Sequence, residues 1–179
     1  MNDGLVPNRY AKALYKYATD KSETKQVYEQ MKNFYGVLCS VEGLIDAIKN
    51  PYLPLADREK IISTATNCDK GTTLNKFIVM VMENNRGEFI GEIVLSYLKL
   101  YRQNNNISQV QITLASDVAD AEKSKIIKIV QNNYEGKTLE VEYNIDESII
   151  GGFIIKVDSA QLDASIKNEF KKLRLKLLS

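Results

Sequence analysis

Apolar residues in the first hundred positions recur at the spacing of amphipathic helices. Six such segments precede residue 105, and prolines or short polar stretches separate them. The segment at 84–87, Asn-Asn-Arg-Gly, can adopt the left-handed backbone that ends a helix. Amphipathic helices with short connections are typical of a bundle, so we predict an all-α six-helix bundle over residues 1–105.

After Asn104-Asn105-Asn106 the period of the pattern changes from about 3.6 to about 2. Val110, Ile112 and Leu114 alternate with polar residues, which indicates a half-buried strand. A helix over about 117–134 and two further strands follow. We therefore predict a small α+β domain over residues 106–179 in the order strand-helix-strand-strand-helix.

The last predicted helix covers residues 164–178. Its apolar residues recur at helical spacing, and we expect them to face inward: Ile166, Phe170, Leu173 and Leu177. The same helix carries five basic residues and one acidic residue. Cations near a helix C-terminus complement its dipole, and an acidic partner surface is the alternative interpretation.

Composition excludes several classes of function. The 24 basic and 23 acidic residues nearly cancel, so the chain lacks the basic excess that is typical of nucleic-acid-binding proteins. It contains no histidine, the commonest general base and metal ligand. Cys39 and Cys68 lie on apolar helical patterns, so we expect small buried thiols in a reducing compartment. We predict no nucleic-acid partner, metal or cofactor.

The longest apolar runs, at residues 77–82 and 149–155, are far shorter than a membrane span. The first seven residues have neither the basic start nor the apolar stretch of a secretory signal. From the sequence we therefore expect a soluble, cytoplasmic protein.

Gly151-Gly152 invites comparison with a phosphate-binding loop, but it lacks the spacing and the following Lys-Ser/Thr. Glycines within an apolar strand more often mark a bulge or a close approach of two backbones. Paired carboxylates at Glu140 and Glu142 share one strand face and are expected to point to water. We predict no catalytic residue.

The first helix carries a stripe of aromatic and small residues. Small Ala13 between Tyr10 and Tyr17 would leave a groove for another helix. Tyrosine is common at interfaces because it tolerates both burial and water. The alternative, which the residues leave open, is that this stripe, together with Leu14, packs inside the bundle.

Three blocks of the chain resemble one family. They are Arg9-Tyr-Ala-Lys-Ala-Leu14, Met80-Val-Met-Glu-Asn-Asn-Arg86, and Ile145-Asp-Glu-Ser-Ile-Ile-Gly-Gly-Phe-Ile-Ile-Lys156 together with Asp163-Ala-Ser165. These blocks and their order along the chain resemble those of the delta subunit of bacterial F-type ATP synthase. That family is related to the mitochondrial oligomycin-sensitivity-conferring protein. Asp158 stands where the family usually has glycine after the third strand; aspartate tolerates turn conformations, so we expect the turn to be kept.

The resemblance implies a non-catalytic stator subunit, present once per complex and not as a homo-oligomer. Its N-terminal bundle would bind the N-terminal helix of an alpha subunit, and its C-terminal domain would bind the peripheral-stalk b subunits. The complex would place it on the cytoplasmic side of the bacterial inner membrane, peripheral to the lipid.

The resemblance also implies an alpha-binding groove between the first and fifth helices. Tyr10, Ala13 and Met80 carry over directly from the family. Helical spacing adds four further positions: Leu14, Tyr17, Phe77 and Asn84. The alternative function is a helical adaptor that binds an amphipathic helix in an unrelated complex.

Overall fold

The computed structural model describes residues 4–50, 52–66, 71–134, 136–158 and 160–178. The chain divides into two compact units, residues 1–102 and 103–179. Cys68, one of the two thiols predicted to be buried, lies outside the described residues.

The first unit is helical, as predicted. A 3-10 turn at Gly87–Phe89 precedes its last helix, which extends two residues beyond the division between the units. The helices are α1 (Leu5–Asp20), α2 (Thr24–Ser40), α3 (Leu44–Lys49), α4 (Leu55–Thr66), α5 (Thr73–Glu83) and α6 (Ile90–Asn104).

Local signals explain where α5 begins and ends. The Thr72 side chain caps its start by accepting a hydrogen bond from the backbone N–H of Asn75 at 3.3 Å. After its end, Asn85 adopts a left-handed backbone with φ +54°. The predicted helix end at residues 84–87 is therefore confirmed.

Aromatic residues close the core of the first unit around α6. Tyr97 is fully buried, and its ring centroid lies 6.2 Å from that of Tyr15. The rings of Tyr28 and Tyr101 stack with centroids 4.1 Å apart. Arg102 Nε donates a hydrogen bond to the Tyr28 hydroxyl at 3.0 Å, which fixes the last turns of α6 to α2.

Cys39 is exposed, so its predicted burial is wrong. The face of α2 that enters the core carries Met31, Phe34 and Leu38. The next residue lies about 100° further around the helix, outside that face.

The second unit contains a mixed four-stranded sheet in the order β2-β1-β3-β4. Strands β1 and β2 are parallel and are joined through α7, whereas β1 pairs antiparallel with β3 and β3 with β4. The elements are β1 (Ile107–Leu114), α7 (Asp120–Asn133), β2 (Thr138–Ile145), β3 (Gly152–Val157), β4 (Ala160–Ser165) and α8 (Ile166–Leu178), with a 3-10 turn at Glu147–Ile149 before β3.

The predicted order strand-helix-strand-strand-helix is wrong by one strand. Residues 160–165, partly assigned to the last helix, form β4 at the edge of the sheet. Their sequence, Ala-Gln-Leu-Asp-Ala-Ser, contains no β-branched or aromatic residue and therefore gives little strand signal. Pairing with β3, from Gly152 opposite Ser165 to Val157 opposite Ala160, decides the conformation.

Asp158, the residue after β3, has the backbone conformation expected of a turn residue. Asp158 has φ +51°, in the left-handed region that a short polar side chain tolerates. Its backbone N–H donates to the Gln109 carbonyl at 3.2 Å, and its Oδ2 accepts from the Ser108 hydroxyl at 3.2 Å. The expectation that aspartate can replace glycine here is confirmed.

The apolar core of the second unit lies between the sheet and α7. The predicted half-buried strand is confirmed, because alternate residues of β1 enter this core. Its buried members are Val110, Ile112, Leu114, Ile126, Val130, Ile155 and Val157.

Helix α8 contributes no buried residue, so the prediction that its apolar stripe faces inward is wrong. Phe170 is 61% exposed and Leu173 is 55% exposed. The spacing of the stripe is helical as expected, but α7 supplies the helical side chains of the core.

Candidate partner-binding site

An open apolar groove of about 350 Å³ lies between α1 and the end of α5; we call it the α1–α5 groove. Its lining contains aliphatic, aromatic and thioether side chains together with two guanidinium groups: Val6, Arg9, Tyr10, Ala13, Met80 and Arg86. Val6, Tyr10 and Ala13 share one face of α1 because they are four and then three residues apart.

Each central side chain has a distinct role in this shape. Tyr10 is half-buried, and its ring meets Phe77 edge-on with centroids 6.3 Å apart. Ala13 is exposed, and its small side chain leaves room above the helix backbone. Met80 is 38% exposed and offers a flexible thioether that adapts to an irregular partner.

The three residues carried over from the family line the groove together, whereas the four added by spacing lie around it without lining it. Leu14 and Phe77 are buried and do not line the groove, and the Phe77 ring packs beneath it against Tyr10. Tyr17 lies one turn beyond the groove on the same face, where Lys21 Nζ approaches its ring centroid to 4.7 Å. Asn84 Nδ2 donates to the Met80 carbonyl at 2.7 Å and so closes the end of α5.

Sequence reasoning missed Val6, Arg9 and Arg86. Val6 precedes Tyr10 by one helical turn, so extending the stripe toward the N-terminus would have found it. Arg86 lies three residues after the end of α5, and Arg9 adjoins Tyr10. Two guanidinium groups beside an apolar surface favour a partner that brings carboxylates next to its apolar residues.

Gly151 and Gly152 have structural roles, as predicted. Gly152 has φ +75°, and a Cβ atom there would lie 2.2 Å from the Ala164 carbonyl oxygen. A Cβ at Gly151 would lie 2.6 Å from Ile166 Cδ1. Gly152 therefore permits close packing against the end of β4, and Gly151 permits close packing against the start of α8.

Asp163 organises the junction between β4 and α8. Its Oδ1 accepts from the Ser165 hydroxyl at 2.6 Å and from the Ser165 backbone N–H at 3.0 Å. These hydrogen bonds hold the pKa of Asp163 below its usual range. Ser165 Oγ in turn accepts from the backbone N–H of Asn168 at 3.2 Å, which caps the first turn of α8.

In the part of the chain that the structure describes, no cluster of three His, Cys, Asp or Glu side chains could hold a metal ion. No helix within the same residues has the length and apolarity needed to span a bilayer.

Comparisons with known proteins agree on one family. The model of the ATP synthase delta (OSCP) subunit family matches residues 6–177. ATP synthase subunit delta of Phocaeicola vulgatus is 33% identical over 98% of this chain and 95% of that protein. The same subunit of Parabacteroides distasonis is 29% identical over 99% and 98%, respectively.

A similar fold occurs in a chain of the Toxoplasma gondii mitochondrial ATP synthase hexamer. The TM-score is 0.72 with 18% sequence identity, and the match covers 97% of each chain. Given the family match along nearly the whole sequence, the chain belongs to the ATP synthase delta (OSCP) subunit family and is a non-catalytic stator subunit of an F-type ATP synthase.

Proposed function

We propose that the α1–α5 groove binds the N-terminal helix of an alpha subunit and that the second unit binds the b subunits of the peripheral stalk. Residues 1–105 then act as a six-helix bundle on the catalytic head, and residues 106–179 act as the stalk-facing domain. One copy serves each complex, on the cytoplasmic side of the bacterial inner membrane and peripheral to the lipid. The observation that carries this proposal is the groove formed by Tyr10, Ala13 and Met80 in a member of this family.

This double attachment gives the subunit its mechanical task. Rotation inside the catalytic head produces a reaction torque on the head itself. A link from the head to the stalk holds the head still, so that rotor movement stays coupled to ion transport and ATP synthesis. The chain needs two binding surfaces for this task and no reacting group.

The groove must use several contacts together. Burying one large apolar side chain stabilises a complex by about 1.5–3 kcal/mol. Nanomolar binding requires about 12 kcal/mol after the cost of association. We therefore infer that apolar contacts at Val6, Tyr10 and Met80 act with charge-assisted hydrogen bonds from Arg9 and Arg86.

Replacing Tyr10 with aspartate should weaken binding of an alpha-subunit N-terminal peptide by at least about tenfold, or roughly 1.4 kcal/mol. The substitution removes apolar area from the groove and places a carboxylate where an apolar side chain of the partner would dock. Isothermal titration calorimetry with the full-length protein measures this change.

Tyr52→Asp is the matched control, because Tyr52 is 93% exposed and does not line the groove. Its affinity for the peptide should equal that of the wild type. Circular dichroism should show that both variants keep their helical content. Wild-type affinity in a folded Tyr10→Asp variant would refute the groove as the alpha-binding site.

A further inference from the structure

Helix α8 exposes a continuous apolar stripe. The spacing along the stripe is four, three and four residues, which is the a/d repeat of a helix that packs lengthwise against another helix. Its members are Ile166, Phe170, Leu173 and Leu177, and all four are exposed.

Two hydrogen bonds tie the first turn of α8 to the rest of the second unit. The Ile166 backbone N–H donates to the Gly151 carbonyl at 3.0 Å, and Asn168 Nδ2 donates to the Asp163 carbonyl at 3.2 Å. Beyond this base, no residue of the 13-residue helix is buried. A helix of this length is marginal in water without packing, so the exposed stripe needs a covering partner.

The charge around the stripe selects the kind of partner. Lys167 and Arg174 border it on one side, and Glu169 and Lys176 border it on the other. The whole helix carries five basic side chains against one acidic side chain. A partner helix with carboxylates next to its own apolar stripe would complement this border.

We propose that α8 pairs lengthwise, through Ile166, Phe170, Leu173 and Leu177, with an acidic amphipathic helix of the stalk subunit. This proposal rests on the proposed function, in which the second unit binds the stalk, and it assigns the contact to one helix and one partner chemistry. The glycine-containing segment at 151–152 and the Asp163–Ser165 cap then hold the base from which this helix projects.

Two other occupants fit less well. A second copy of α8 would bring two strongly basic helices together, which costs electrostatic energy. A lipid surface favours a broad apolar face, whereas an a/d stripe is the narrower seam of helix pairing.

Leucines on opposite faces of α8 provide a matched test. Leu173 lies within the stripe and is 55% exposed, whereas Leu175 lies on the far side and is 60% exposed. Leu173→Ser should weaken binding of the full-length protein to the purified soluble part of the b subunit by at least tenfold. Leu175→Ser should leave that affinity within about twofold. Calorimetry measures both, with circular dichroism as the folding check.

Charge reversal supplies a second readout. Arg174→Glu should also weaken binding of the b subunit, and it should flatten the decrease of affinity with rising salt concentration. Equal affinities in wild type and the Leu173→Ser and Arg174→Glu variants would overturn the proposal while leaving stalk binding intact. If wild type failed to bind the b subunit at all, the stalk part of the proposed function would fail instead.

The same variants test whether a second copy of the chain or a lipid surface covers the stripe instead. Sedimentation of the protein alone should show a monomer, and vesicles of neutral and anionic phospholipid should not retain it. Dimerisation or vesicle binding that is lost in Leu173→Ser, without any loss of b-subunit affinity, would assign the stripe to that occupant and contradict the proposal.

Discussion

Replacing Gly152 with alanine is expected to destabilise the second unit by roughly 3 kcal/mol or more. The added Cβ would lie 2.2 Å from the Ala164 carbonyl oxygen, and it would also approach the Ser165 Cα to 3.3 Å. Both neighbours are backbone atoms of β4, so relief requires β3 and β4 to separate. The φ of +75° adds strain of its own for any residue with a Cβ.

The variant Gly136→Ala separates the effect of backbone strain from the effect of the steric contact with β4. Gly136 has a similar φ of +79°, but nothing lies within 4 Å of a Cβ placed there. This variant should lose only about 1–2 kcal/mol through backbone strain. Urea unfolding combined with segment-resolved hydrogen exchange over residues 107–165 measures both variants. Equal losses would show that the contact with Ala164 is not the reason for glycine at 152.

Replacing Tyr97 with alanine should destabilise the first unit by about 3–5 kcal/mol, the range for removing a large buried aromatic side chain. Tyr97 is 0% exposed, and its ring packs near Tyr15 in the interior behind α6. Loss of the ring would leave a cavity between helices that are already fixed by their other contacts. Thermal and urea unfolding followed by the helical circular dichroism signal measures the change.

Tyr97→Phe is the control, because it keeps the ring and removes only the hydroxyl, which donates to the Thr24 carbonyl at a long 3.4 Å. Its loss should not exceed about 1 kcal/mol. A loss in Tyr97→Phe as large as that in Tyr97→Ala would assign the stabilisation to the hydroxyl and contradict the packing argument.

The stability of wild type and of Tyr97→Phe should depend differently on alkaline pH. Burial raises the pKa of the Tyr97 hydroxyl above its ordinary value of 10.0. In the unfolded chain this group ionises near pH 10, whereas in the folded chain it stays protonated to higher pH. Its contribution to stability is therefore complete below pH 10 and is lost as pH rises above it. Tyr97→Phe should lose less stability than wild type between pH 9 and pH 11.

Where apolar and polar residues alternate with a clear period within one segment, the sequence predicted the structure well. The alternation of Val110, Ile112 and Leu114 predicted β1 and its buried face, and both are confirmed. The capping residues at the end of α5 likewise predicted a boundary from local backbone preferences alone. These features depend on neighbours within a few residues, so no distant contact is needed to produce them.

Prediction failed where a distant segment decides the outcome. Residues 160–165 are extended because β3 pairs with them, and their own side chains give little sign of it. Cys39 matched an apolar pattern but lies just outside the face that enters the core. In the α1–α5 groove, the sequence suggested Tyr10 and Ala13, whereas Arg9 and Arg86 became visible only once α1 and the end of α5 were adjacent.

The amino-acid sequence by itself determined the helical and strand periods, the change of pattern near residue 105, the structural role of Gly151-Gly152, and the absence of histidine. Tertiary structure decided which apolar faces are covered. The stripe of α7 enters the core of the second unit, while the equally regular stripe of α8 remains exposed. Periodicity shows that a helix has an apolar face, but the burial of that face depends on whether another segment packs against it in the folded structure.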